Sequence, residues 1–364
     1  MVLTLTALVL AALALPAPAQ TPAPRSGAVR SVVVLGDSVA AGEGARDGYV
    51  YNDRLLFPAW SSPARTPGAS ASGGTASSSG AATGSACGRS DRAYGVLVAR
   101  DLGAHVANLA CSGASFERGI VLDDRFDRAR PDLVLVTAGA NSVSFERAYA
   151  YCVLASAGLS EAESERIASS STVQDALATA VGVAARRVFG SATPSGPPAC
   201  TAQNPGAYLR TTVLDRAAAV GAQARALAAA IRTRGSSLGL VPDVVFTTYA
   251  DPLPTTIASL AECPDAAGLG TAQLAFLHRT FEQLDGALRD ALATAPGVIV
   301  AEPDAAFAGH RWCDADPWIY GPSIFVTDPG SRVPFHPTPA GQRAFADAVL
   351  AARHGALTDW RGLI

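Results

Sequence analysis

The sequence predicts an α/β fold in which a central parallel sheet lies between two layers of helices. Short runs rich in valine and leucine alternate along the chain with longer stretches of helical spacing. That alternation is typical of strand–helix–strand units and therefore of a parallel sheet covered on both faces. The run at 133–138 is apolar at nearly every position, as expected for a strand in the middle of such a sheet. No change in composition marks a second core, so we expect one domain over residues 31–364.

The predicted elements follow in order from a first strand at Val32–Leu35. This strand runs into Gly36-Asp37-Ser38, so a buried strand delivers a serine to a turn of small residues. We expect Asp37 to support this turn by hydrogen bonding. Four further strands are predicted at 104–110, 133–138, 241–249 and 297–301. Helices are predicted at 91–102, from 160 onward, and at 208–234, 269–295 and 338–353.

The N-terminus has the pattern of a secretory signal peptide. Residues 2–15 are almost wholly apolar, and Ala17-Pro18-Ala19 is an A-x-A cleavage pattern, although no Lys or Arg precedes the apolar run. An N-terminal anchor helix is the alternative, but the run is short for a membrane span. We therefore expect a signal peptide at 1–19, a leader at 20–30 and a secreted mature chain with no stable membrane span.

Composition narrows the choice of partners. The net charge of −3 provides no basic field, which argues against nucleic acid as a partner. Residues 61–86 consist mainly of Ser, Gly, Ala, Thr and Pro, so we expect a surface loop there rather than a site.

The even number of cysteines behind a signal peptide predicts disulfide bonds. Six cysteines allow fifteen pairings, and we favour the sequential one because each bond would then close a local excursion of the chain. The predicted pairs are Cys87–Cys111, Cys152–Cys200 and Cys263–Cys313. Neither C-x-x-C nor H-x-x-x-H occurs, so we expect no metal site and no cofactor.

Three predicted strands end in small or polar residues that can carry chemistry. These are Ser38 after the first strand, Cys111-Ser112-Gly113 after the second and Gly139-Ala140-Asn141 after the third. The carboxyl ends of parallel strands meet at one edge of the sheet, so we expect these residues to converge there. A serine hydroxyl is a weak nucleophile alone and needs a base and an oxyanion hole.

Among the five histidines, His336 fits the role of base best. Prolines at 334 and 337 stiffen its backbone just before the last predicted helix. His105 begins a strand and so lies at the wrong edge of the sheet, and His278 lies within a helix. His354 belongs to the polar tail, and His310 is better explained as a structural residue.

These motifs together resemble the four blocks of the SGNH (GDSL) hydrolases. The blocks are Gly36-Asp37-Ser38, Gly113 after the second strand, Gly139-Ala140-Asn141 after the third, and His336-Pro337 before the last helix. The stretches 110–114 and 307–313, with their cysteines, resemble the secreted, disulfide-containing actinobacterial esterases and lipases of that family. The resemblance implies a flavodoxin-like three-layer sandwich.

The resemblance also implies a role for each of the four residues. Ser38 is similar to the family's nucleophile, and its backbone N–H to the first oxyanion donor. Gly113 corresponds to the second donor through its N–H, and Asn141 to the third through its side-chain amide. His336 resembles the base that takes the Ser38 proton and returns it to the leaving alcohol.

Two positions depart from the family pattern. The residue after Asn141 is Ser142 where the family usually has Asp, and the position three residues before His336 is Val333, which has no carboxylate. Some members of the subgroup orient the histidine with a backbone carbonyl at that position, so we expect the Val333 carbonyl to do so. A carboxylate from elsewhere is the alternative, with four candidates: Asp304, Asp314, Asp316 and Asp328.

The expected function is therefore that of a secreted serine ester hydrolase acting through an acyl-enzyme. Its partner is a small-molecule or lipid ester, and the chain is expected to be a monomer. Lipases, phospholipases and carbohydrate esterases share these blocks, so a carbohydrate esterase remains an alternative, as does a non-catalytic secreted binding protein.

The match to G-x-S-x-G at 235–239 follows a helix and precedes a strand, which is the wrong context for a nucleophile elbow.

Overall fold

The computed structural model of the protein describes residues 27–45, 87–156, 159–168, 200–255, 269–321 and 335–361. The predicted signal peptide and the predicted surface loop at 61–86 lie outside these residues, as do Cys263, Asp328 and Val333.

Five parallel strands form the central sheet, as predicted, in the order β2-β1-β3-β4-β5. Valine and leucine fill the inner strands, and their side chains are buried on both faces of the sheet because helices cover both. The strands are β1 (Ser31–Gly36), β2 (His105–Asn108), β3 (Leu133–Thr137), β4 (Asp243–Thr247) and β5 (Val298–Ala301).

Helices connect the strands and form the two outer layers. The first five are α1 (Ser38–Ala41), α2 (Tyr94–Asp101), α3 (Asp124–Ala129), α4 (Phe145–Ser156) and α5 (Glu161–Ala168). A short α6 (Ala207–Leu209) continues through a π-helical turn, Arg210–Leu214, into α7 (Asp215–Ser237). The remaining helices are α8 (Thr271–Ala293), the 3₁₀ turn Asp304–Phe307 and α9 (Pro339–Arg361).

The strand order creates a crevice at one edge of the sheet. The chain moves from β1 to β2 on one side, whereas β3, β4 and β5 follow one another on the other side. Right-handed crossovers therefore place α2 and α7 on opposite faces, with α9 against α2 and α8 against α7. Ligand sites of open α/β sheets lie at this switch point, at the carboxyl ends of β1 and β3.

Disulfide bonds stabilise the loops around the sheet. The predicted pairs Cys87–Cys111 and Cys152–Cys200 are confirmed. Cys313 is also disulfide-bonded, while its predicted partner lies outside the described residues. Within the described ranges, no helix combines the length and the apolar character needed to cross a membrane.

Candidate active site

The turn that carries Ser38 needs a glycine at position 36. Gly36 has a φ of +128°, and a Cβ built on it would lie 1.9 Å from the carbonyl oxygen of Thr137 at the end of β3. The next residue, Asp37, donates its backbone N–H to that same carbonyl at 2.9 Å. The chain leaving β1 is therefore fixed against β3, and Ser38 becomes the first residue of α1.

Asp37 supports the turn, as expected from the sequence. Its Oδ1 accepts the N–H of Val39 at 3.0 Å as the N-cap of α1, and its Oδ2 accepts the hydroxyl of Tyr249 at 2.5 Å. Burial raises the pKa of this carboxyl to about 6, although these hydrogen bonds oppose the rise. Both of its oxygens are engaged by the fold, so its geometry is that of a structural group.

The loops after β2 and β3 bring Gly113 and Asn141 together. Gly113 has a φ of +78°, a left-handed conformation that favours glycine, and a Cβ built there would meet no atom within 4 Å. Asn141 donates Nδ2–H to the carbonyl oxygen of Ala114 at 2.9 Å, which ties the two loops to each other. A side-chain amide has two N–H groups, so one remains for a ligand.

His336 lies directly before α9 and is held by a short antiparallel contact. The N–H of Tyr320 donates to the carbonyl of His336 at 3.0 Å, and the N–H of Phe335 donates to the carbonyl of Tyr320 at 3.1 Å. The residue is 6% exposed and lines the same cavity as Ser38. The predicted orienting carbonyl, that of Val333, lies outside the described residues and stays a prediction.

Glu43 is a site residue that sequence reasoning missed. Its Oε2 lies 3.9 Å from Nε2 of His336, and the hydroxyl of Ser112 donates a short hydrogen bond to the same oxygen. The Glu43 side chain is 13% exposed. The sequence does carry one indication of its position, because Glu43 follows Ser38 by only five residues. A tight turn at the end of α1 brings it back toward Ser38, and the N–H of Glu43 donates to the Ser38 carbonyl at 3.0 Å.

Three of the four carboxylates considered as alternatives are engaged elsewhere. Asp304 accepts two hydrogen bonds of 3.0 Å from the guanidinium of Arg311, and Asp314 accepts the backbone N–H of Arg311 at 2.7 Å. Asp316 accepts the indole N–H of Trp318 at 3.1 Å. None of the three lines the cavity, and Asp328 lies outside the described residues.

Sequence reasoning also missed Tyr249. This residue follows the carboxyl end of β4, so it lies at the same edge of the sheet as Ser38 and Asn141. Besides donating to Asp37, its hydroxyl oxygen accepts the N–H of Ala140 at 3.0 Å. Burial and the nearby Asp37 charge raise the phenol pKa well above its ordinary value, which keeps the hydroxyl protonated as a donor. One oxygen atom thus joins the loops that follow β1, β3 and β4.

Ser38, Gly113, Asn141 and His336 line one cavity of about 670 Å³ at the carboxyl edge of the sheet. One part of its wall is apolar and largely aromatic: Phe145, Tyr249, Pro252, Phe281, Ile319 and Phe335. Another part is polar or charged: Ser115, Glu117, Arg118, Ser144, Arg147, Arg216 and Gln223.

The described residues contain no group of three or more His, Cys, Asp or Glu side chains arranged to hold a metal ion. The reactive groups of the site are a hydroxyl on Ser38, an imidazole on His336 and amide donors on Gly113 and Asn141.

A parallel α/β sheet with a serine, two amide donors and a histidine at its switch point defines a hydrolase-type site. Residues 34–344 match the GDSL-like Lipase/Acylhydrolase family, and the chain belongs to this family. It is accordingly a carboxylic ester hydrolase. A search of curated proteins found no significant match.

Solved structures support the fold. An extracellular lipase from Streptomyces rimosus is similar at 19% identity, with 89% of this chain and 99% of that chain covered and a TM-score of 0.50. Phospholipase A1 from Streptomyces albidoflavus NA297 is similar at 19% identity, covering 89% of this chain and 100% of its own, also with a TM-score of 0.50. Axe2, an acetylxylan esterase from Geobacillus stearothermophilus, is more distant, with 14% identity over 90% of this chain and 96% of its own and a TM-score of 0.38.

Proposed function

We propose that the protein is a secreted serine ester hydrolase in which Ser38 is the nucleophile and His336 the base. The observation that carries this proposal is the meeting of Ser38, Gly113, Asn141 and His336 on one cavity, although they come from four separate parts of the chain. The disulfide bonds and the apolar, A-x-A-terminated N-terminus support secretion.

The proposed reaction proceeds through an acyl-enzyme. Nε2 of His336 takes the Ser38 proton as the serine oxygen attacks the ester carbonyl, and the imidazolium then returns a proton to the leaving alcohol. The N–H groups of Ser38 and Gly113 and the second amide hydrogen of Asn141 stabilise the oxyanion. Water, activated by the same histidine, then hydrolyses the acyl-serine ester.

Glu43 takes part in this proposal through its charge alone, because it lies near Nε2 and not near Nδ1, the nitrogen that a triad aspartate holds. The imidazolium formed during the reaction carries a positive charge, and a carboxylate oxygen 3.9 Å from Nε2 stabilises that charge across a site that is largely shielded from water. The Val333 carbonyl remains the proposed acceptor for Nδ1–H, which would fix the tautomer.

The size of the cavity favours an acyl chain longer than acetyl. A space of about 670 Å³ with an aromatic wall is large for a two-carbon acyl group and suits an apolar chain. This supports an esterase or lipase over a carbohydrate acetyl esterase. Hydrolysis rates for p-nitrophenyl esters of increasing acyl length distinguish the two classes. We expect kcat/KM to rise beyond acetate, whereas a maximum at acetate would favour the carbohydrate acetyl esterase.

A fluorophosphonate probe tests the nucleophile directly, because it reacts covalently with an activated serine. We expect the mature protein to be labelled and Ser38→Ala to lose both labelling and ester hydrolysis. Ser237→Ala is the matched control, since Ser237 is the central serine of the G-x-S-x-G match and its hydroxyl donates to the Arg234 carbonyl at 2.7 Å. Equal labelling of Ser38→Ala and the wild type would rule out Ser38 as the nucleophile.

A further inference from the structure

The charged part of the cavity wall contains three arginines from three different elements. Arg118 belongs to the loop after β2, Arg147 to the first turn of α4 and Arg216 to the first turn of α7. They are far apart in sequence, so only the fold brings them to the cavity that Ser38 lines. The chain as a whole has a net charge of −3, which makes this concentration of positive charge local.

Glu117 is the carboxylate on this part of the wall, and its charge offsets one of the three positive charges. Glu117 accepts a hydrogen bond from Ser142 at 3.0 Å through Oε2 and from Gln223 at 2.9 Å through Oε1. Desolvation raises its pKa, but hydrogen bonds from Ser115, Gln223 and Ser142 outweigh this and lower the pKa to about 2. The Glu117 charge is thus stabilised by neutral donors.

Two of the three arginines, Arg118 and Arg216, are exposed and can therefore reach a ligand. In the part of the chain that the structure describes, no carboxylate forms an ion pair with Arg118 or Arg216. Nη1 of Arg216 donates a long hydrogen bond of 3.4 Å to the carbonyl oxygen of Ser142. With Glu117 offsetting one of the three guanidinium charges, the lining keeps an excess of positive charge, which attracts an anion.

Arg216 also lies next to the proposed oxyanion hole. Ser142, to which Arg216 donates, directly follows Asn141. The charges of Arg147 and Arg216 both oppose the burial-driven rise of the Tyr208 pKa, which places the two guanidinium groups near the same hydroxyl. Arg216 therefore lies close to the point where the ester carbonyl would sit, and Arg147 lies near Arg216.

The aromatic residues of the cavity lining are suited to the opposite kind of group. Phe145 and Phe281 pack edge to face with ring centroids 4.9 Å apart, and Phe335 packs against Phe145 at 6.0 Å. This aromatic wall accommodates an apolar chain, which leaves the charged wall for the remainder of the substrate.

We propose that Arg118, Arg147 and Arg216 form a subsite for an anionic group, a phosphate or a carboxylate, on the alcohol part of the ester substrate. The acyl chain then lies on the aromatic wall while the scissile carbonyl faces Ser38. This inference rests on the proposed function, because it assigns the two ends of a substrate that Ser38 attacks. Guanidinium groups bind phosphate and carboxylate through paired, charge-assisted hydrogen bonds, which is why arginine suits this role.

Binding to the inactive Ser38→Ala variant tests the subsite without any need for turnover. Calorimetry would compare three probes: octyl phosphate below its micelle-forming concentration, octyl glucoside and inorganic phosphate. We expect octyl phosphate to bind most tightly, and Arg216→Gln to weaken it about tenfold, as the loss of a charge-assisted hydrogen bond implies. Arg225→Gln is the matched control, since Arg225 is exposed on the same helix but does not line the cavity.

The outcomes separate a substrate subsite from its alternatives. Equal affinity for octyl phosphate and octyl glucoside, or an unchanged affinity in Arg216→Gln, would overturn the proposal. Inorganic phosphate that binds as tightly as octyl phosphate would also overturn it, because the site would then be a plain anion site without an acyl component.

Turnover by the active enzyme distinguishes the subsite from the proposed function. We expect kcat/KM for 1-octanoylglycerol 3-phosphate to exceed that for 1-octanoylglycerol, and the ratio to fall about tenfold in Arg216→Gln and with added salt. Hydrolysis of both esters at equal rates would leave the hydrolase in place and remove the subsite. Failure to hydrolyse either ester, together with selective octyl phosphate binding, would instead remove the proposed function and leave the anion-binding subsite.

Discussion

His278 and His336 both lie near carboxylates, yet their surroundings differ. His278 in α8 has the shorter pairing: Nδ1 is 2.5 Å from Oδ2 of Asp251, and Nε2 is 3.0 Å from the carbonyl oxygen of Pro254. For His336, the Glu43 carboxylate lies at the longer distance of 3.9 Å from Nε2. His336 lines the cavity with Ser38, whereas His278 does not.

The difference shows that a close histidine–aspartate pair is not by itself a catalytic pair. A carbonyl oxygen only accepts, so Nε2 of His278 must donate to Pro254, and Nδ1 donates to the Asp251 carboxylate. Desolvation lowers the pKa of His278, but the hydrogen bond and charge of Asp251 outweigh it and raise the pKa overall. An imidazole with both nitrogens protonated has no lone pair for a proton, so it stabilises a loop rather than acting as a base.

The largest expected effect separates the two histidines by activity. His336→Gln should lower kcat/KM by about 10³-fold, because general-base catalysis is lost. His278→Gln should keep activity within about threefold of wild type and lower thermal stability instead, because a partly buried hydrogen-bonded pair is broken. Ester hydrolysis and thermal unfolding measured on both variants check the contrast, and a similar loss of activity in both would mean that the comparison is wrong.

The next largest effect is expected from the carboxylate near His336. Glu43→Gln should lower kcat about tenfold with little change in KM, because the imidazolium loses a nearby negative charge. Glu302→Gln is the control, since Glu302 pairs with Arg289 on an exposed surface. Ser112→Ala removes the hydrogen bond to Glu43 while keeping the charge, so an equal loss of kcat there would assign the effect to the hydrogen bond.

The smallest expected effect is the pH dependence of stability due to His278. Its pKa in the folded protein is raised, so it contributes stability that is fully present below the unfolded value of about 6.5 and is lost as the pH rises through the folded value. The difference in unfolding free energy between wild type and His278→Gln should therefore be larger at pH 6 than at pH 9. Denaturant unfolding at the two pH values measures it, and a larger difference at pH 9 would contradict the assigned charge.

The sheet and its catalytic edge were predictable from sequence because they depend on local patterns. Five apolar runs predict five strands, and the residues that follow Gly36, Asn108 and Thr137 share an edge by topology alone. Helix ends were predicted less well. The helix expected at 91–102 is Tyr94–Asp101, and the last helix, expected to end at 353, continues to Arg361 through a more polar sequence.

Other parts of the site depend on contacts that no local pattern carries. Glu43 approaches His336 only because α1 is a single turn, and Tyr249 reaches Asp37 across more than two hundred residues of sequence. Likewise, only the tertiary fold brings the arginines at 118, 147 and 216 to one cavity. Sequence motifs identify the groups that react, whereas the groups that orient and charge the site depend on tertiary packing.

The hydroxyl of Tyr249 has a consequence for how freely this chain can vary. It accepts the N–H of Ala140 and donates to Asp37, and the Asn141 amide binds the Ala114 carbonyl, so the loops after four strands are cross-linked close to the strand ends. Substitutions in these loops away from the cross-linking groups can therefore accumulate, and alter which esters are accepted, without shifting the reacting atoms.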